Sequence, residues 1–181
     1  MDILDEILST SPSTWTKVPN SSYDDGYYIE KLHPDSVEYR LVAQGFTPHC
    51  TVKYIKRVQN PFQLALFKIS REKAKAEGTR LNEMQAYHVI YENDLDIALK
   101  YTVDYRRYEN SYELSHNQQD FIYKQPRFNK NITDAVNAFD KNIVRGQNKL
   151  VLTCDVLSEE LYQIKTSTQA DYHVNYVVCI E

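Results

Sequence analysis

The stretch Val52-Lys53-Tyr54-Ile55-Lys56-Arg57-Val58-Gln59-Asn60-Pro61 changes character along its length. Its first part alternates apolar or aromatic residues with cationic ones, the pattern of a half-buried strand. Asn60 then offers a side-chain oxygen to cap a helix, and Pro61 suits a first helical position because its missing N–H is not needed there. Leu64, Phe67 and Ile69 supply an apolar side, and Gly78 closes the helix near its charged end. A strand running directly into a capped amphipathic helix sets the fold class as α+β.

Working outward, Val37-Glu38-Tyr39-Arg40-Leu41-Val42 also alternates and predicts a strand, so that two strands flank a loop at Gly45 to His49. Downstream, Ala86 to Ile90 predicts a short buried strand, Asn93 to Tyr101 a helix capped at Asn93 or Asp94, and 104–120 a polar loop without glycine. Thr133 to Asn142 predicts a further helix. Leu150 to Val156, Glu160 to Ile164 and Tyr172 to Ile180 predict strands. Ahead of these, Ile3, Leu4, Ile7 and Leu8 fall at helical spacing, so residues 1–14 read as a short helix and connector before a domain spanning 15–181.

At 181 residues the chain suits one domain, and 15 tyrosines against 4 glycines favour strand over helix. Net charge is −4, and no Lys/Arg block makes the basic stripe that nucleic-acid binding by counterion release uses, so direct nucleic-acid binding is not expected. Arg71, Lys73 and Lys75 alternate with Glu72 and Glu77 and read as a solvated helix face. Cys50, Cys154 and Cys179 form no CxxC pair, which suits a reducing, intracellular setting, nucleus or cytoplasm. Asp2, Asp5 and Glu6 stand where a secretory signal needs cations, and no run is apolar enough to span a bilayer, so no membrane association is expected. His33, His49, His116 and His173 lack metal-ligand spacing; no metal is expected.

The words along this order are more specific than the order itself. Ile55-Lys56-Arg57-Val58-Gln59-Asn60-Pro61 resembles the basic, valine or isoleucine, glutamine, asparagine, proline segment of the poly(ADP-ribose) polymerase catalytic domain. Asn82-Glu83-Met84-Gln85-Ala86-Tyr87-His88 is similar to the stretch ending in that family's His-Gly, and Phe121-Ile122-Tyr123 to its Gly-x-Tyr-Phe strand. Leu150 to Leu157 and Asn175-Tyr176-Val177-Val178 look like its last strands, so the likeness runs from Trp15 to the C-terminus. It implies the ADP-ribosyltransferase fold, two packed and mainly antiparallel sheets with flanking helices.

It also implies a site. The family's histidine, tyrosine and glutamate correspond to His88, Tyr123 and Asn175, and the third lacks the carboxylate that steadies an oxocarbenium-like transition state. Val89 replaces a glycine at which the backbone grips nicotinamide, while Asn131 and Asp134 replace a serine and a second stacking tyrosine. A register one or two residues different across 124–135 gives those two roles to Thr133 or Phe128. The resemblance therefore implies a pseudoenzyme that binds no cofactor and serves as a protein-interaction or scaffold module, in the manner of silent relatives in antiviral and genome-silencing complexes. The alternative is a mono-ADP-ribosyltransferase using NAD, with a protein acceptor.

Overall fold

A computed structural model describes residues 11–101, 127–139, 148–159, 164–165 and 169–181. The expected helix at residues 2–8, the loop at 104–120, Tyr123 and most of the strand expected from Glu160 lie outside the described residues.

The Val52–Pro61 stretch behaves as its residues dictate. Strand β2 (Val52–Gln59) follows β1 (Tyr28–Lys31) and helix α1 (Val37–Phe46), and leads straight into α2 (Pro61–Ala76). The Asn60 side chain accepts the Gln63 N–H at 2.9 Å, and its amide donates to the Leu99 carbonyl at 3.0 Å. One buried residue thus starts α2 and ties it to a second helix. Gly78, at φ +70°, turns the chain out of α2 in a conformation that side chains with a Cβ rarely adopt.

Strand β3 (Asn82–Tyr91), a 3-10 turn (Glu92–Asp94) and α3 (Leu95–Tyr101) come next. Then follow β4 (Arg127–Phe128), α4 (Ile132–Phe139), β5 (Lys149–Ser158), β6 (Ile164–Lys165) and β7 (Tyr172–Ile180). The five long strands form one sheet in the order β1-β2-β7-β5-β3, with every pair antiparallel, while β4 and β6 pair as a separate two-stranded ribbon. The architecture is mixed α+β, with helices on an antiparallel sheet.

Two expectations are corrected. Val37 to Val42 is helical, not a strand. The Ser36 side chain accepts the Tyr39 N–H at 3.1 Å and caps α1, and the spacing of Val37 and Leu41 fits i, i+4 as well as alternation. Gly45 accordingly lies inside α1 and not in a loop between strands. Among the described residues strand slightly exceeds α-helix.

Pairing register assigns every strand residue to a face. The first face carries Ala86 and Ile90 of β3, Leu150, Leu152, Cys154 and Val156 of β5, and Val174, Val177 and Cys179 of β7. Ala98 and Leu99 of α3, with Phe128 and Ile164 of the ribbon, close over it. On the second face the row Ile55, Val178, Val151, Val89 is apolar, and it packs against Phe46 of α1 and Ile132 and Ala135 of α4. Burying each of these large aliphatic side chains contributes roughly 1.5–3 kcal/mol, so the two clusters hold the sheet between them. Helix α2 lies over the other end of the second face: Gln63 Oε1 takes the Val174 N–H at 3.0 Å, and Arg71 reaches Glu83 of β3 at 3.4 Å. Among the described residues no helix is long and apolar enough to cross a membrane.

Candidate functional site

Register decides what the site residues can share. His88 pairs with Leu152 and so lies on the first face. It is buried, with its ring 5.7 Å from that of Phe128, which in turn stands 5.0 Å from Tyr172. Phe128 is one of the two residues that an alternative register placed in the nicotinamide cradle. The other, Thr133, meets His49 Nδ1 through its hydroxyl at 3.0 Å, away from His88.

Val89 alternates with His88 and faces the second side, buried with Ile132 and Ala135 of α4. Asn131 and Asp134 are exposed at the start of α4, the Asn131 amide donating to Asp134 Oδ2 at 3.1 Å. Asn175 is the extra residue of a bulge: Thr153 pairs with Tyr176 and Cys154 with Val174, leaving Asn175 unpaired on β7. Its amide interacts with Asp155 on the second face. The structure thus brings Val89 together with α4 and places His88 and Asn175 on opposite faces of the sheet. Tyr123 lies outside the described residues.

The second face carries a grouping that the resemblance did not assign. Beside the apolar row runs a second one, Glu30, Arg57, Tyr176, Thr153, Tyr87, and past the bulge a third, His173, Asp155, Gln85. The Arg57 guanidinium is buried and held by Glu30, by Thr16 Oγ1 at 2.6 Å and by Glu38 of α1 at 2.6 Å. Tyr176 donates its phenol to the other Glu38 oxygen at 2.9 Å, and burial together with that carboxylate pushes its pKa up to about 12.

His173 is 1% exposed with Trp15 tilted over it at 6.3 Å, and both ring nitrogens lack a hydrogen-bond partner. The nearby Asn175 amide favours its charged form without closing a hydrogen bond. Burial outweighs that influence and brings the imidazole pKa down to about 4, so the ring is neutral near pH 7. Thr153, 2% exposed, likewise has an unpartnered hydroxyl. Asp155 is half-buried, and desolvation raises its pKa, opposed by the Asn175 amide and aided by the Glu83 charge. Among the described residues no set of three or more His, Cys, Asp or Glu is placed to hold a metal ion.

A sequence signal for this grouping exists. Leu150 to Leu157 is apolar except at Thr153 and Asp155, two residues apart and therefore on one face of a strand. His173 interrupts the last strand in the same way. No family model matches this chain, and no curated protein matches it.

Proposed function

We propose that this domain is a catalytically silent protein-interaction module of the poly(ADP-ribose) polymerase type. The observation that carries the reading is where the apolar surface lies. Among the described residues the exposed large hydrophobic side chains are Val37 and Leu41 on α1 and Phe62, Leu66 and Ile69 on α2. They form i, i+4 and i, i+4, i+7 stripes on two helices that cover the same sheet face. Apolar side chains lined up along one exposed side of a helix mark contact surfaces, whereas singly scattered ones need no explanation.

The separation of His88 from Asn175 supports the silent part of the reading, because a transferase needs its ribose-binding histidine and its third residue in one cleft. A place in an RNA-linked, antiviral or genome-silencing complex, inside the cell, follows from the family likeness alone. Thermal melting with NAD or a nicotinamide mimic tests the proposal. A ligand at about a hundred times its Kd stabilises the fold by about 2.7 kcal/mol, so the expected result with millimolar NAD is an unchanged melting temperature. A dose-dependent rise of several degrees that disappears in His88→Ala would establish the NAD-using alternative.

A further inference from the structure

We propose that the polar rows of the second face form a binding site for a cationic side chain, the ε-ammonium of lysine or the guanidinium of arginine, presented by a protein partner. The inference rests on the reading of the domain as an interaction module and names the chemistry its partner must carry.

Charge points to a cation. Two cations act on this face, Arg57 in the rows and Lys68 of α2, whose charge reaches His173, against Glu30, Asp155, Glu83 and, from α1, Glu38. Arg57 is already bound to Glu30 and Glu38. Asp155 has no ion pair among the described residues, and its polar neighbour Asn175 is neutral. A half-buried carboxylate without a cation is costly, and an ammonium or guanidinium group offsets that cost directly.

Hydrogen bonding points the same way. Beside Asp155 lie the Thr153 hydroxyl, on the same strand face two residues away, and His173, its cross-strand partner. Both are more than nine-tenths buried and both have unpartnered polar atoms. The acceptor nitrogen of the neutral imidazole and the hydroxyl oxygen can each take a hydrogen bond from a group with several N–H donors, while the imidazole N–H, Arg57 Nε and Gln63 Nε2 are donors that such a group does not meet. Trp15 over His173, with Tyr176 in the adjacent row, offers aromatic surface for the apolar stem of a long cationic side chain. The site lies on the sheet face that α1 and α2 also cover.

The test is an amide-resolved NMR titration of the full chain with three probes: Nα-acetyl-lysine amide, Nα-acetyl-arginine amide and the uncharged Nα-acetyl-norleucine amide. Saturable millimolar binding of at least one cationic probe is expected, with shifts centred on Thr153, Asp155 and Asn175 and none for norleucine. Asp155→Asn and Thr153→Val, each checked by its amide spectrum to be folded, are expected to weaken that binding by about tenfold and by a few-fold respectively. No saturable shift with either cation, equal binding of norleucine, or full binding by folded Asp155→Asn would each overturn the proposal. Those failures leave the interaction-module reading standing, whereas NAD binding lost on His88→Ala would sink that reading instead.

Discussion

His173 and Thr153 carry a cost in the folded chain, because each loses water and gains no hydrogen bond in return. His173→Phe keeps a ring under Trp15 and removes both orphaned nitrogens, so it is expected to stabilise the protein at pH 7 by about 1–2 kcal/mol, a rise of several degrees in Tm. The pH dependence is also defined. For a histidine whose pKa falls from 6.5 to about 4 on folding, stability is full at neutral pH and is lost as pH falls through that window, because only the unfolded chain takes up the proton. The loss is on the order of 3 kcal/mol from that residue. Asp155 acts with the opposite sign: its raised carboxyl pKa gives stability at low pH that is lost as pH rises through the folded value. Urea titrations from pH 7 to pH 4 should therefore show His173→Phe gaining steadily on the native chain. A constant difference between them would mean that the imidazole titrates in solvent.

Elements are where the residues either announce themselves or mislead. The β2–α2 boundary is legible because Asn60 and Pro61 do opposite jobs, one satisfying an orphan N–H and the other lacking one. Asn60→Ala removes the cap and the Leu99 bond together and is expected to cost about 2–3 kcal/mol, while Asn60→Asp keeps the cap and should cost about half of that, both measurable by urea unfolding. Helix α1 was legible only in part, since six residues of Val, Tyr and Leu with intervening charges fit either period, and the Ser36 cap together with burial of Phe46 settles it as a helix. The bulge at Asn175 leaves no mark in the composition of its strand. Deleting Asn175 would restore continuous pairing with β5 and leave Tyr172 to Val174 on the faces they already occupy, removing only the amide beside Asp155. Cooperative, native-like melting is therefore expected, and loss of cooperative unfolding would show that the strand depends on the bulge itself.

At the scale of the whole molecule, the α+β class and the apolar faces follow from patterns in the chain, but the pairing of its strands does not. The likeness to a polymerase placed His88 and Asn175 in one site by their positions along the sequence. In the folded sheet they are two strands apart, and one extra residue together with strict alternation separates their faces. The same alternation collects Arg57, Tyr176, Thr153, Asp155 and His173, which come from three strands and share no local motif. Arg57 holds this arrangement to its surroundings. Arg57→Met strands Glu30 and Glu38 without their cation and is expected to destabilise by about 3–5 kcal/mol in urea unfolding, whereas replacing all three by apolar residues should recover most of that loss.

The most direct measurement is incorporation of labelled ADP-ribose from NAD, with the chain itself and added proteins as acceptors. With His88 packed on Phe128 and Asn175 turned to Asp155 on the opposite face, no label is expected on any acceptor, and His88→Ala should be indistinguishable from the native chain. Label that accumulates with time in the native chain and is abolished by His88→Ala would contradict the account.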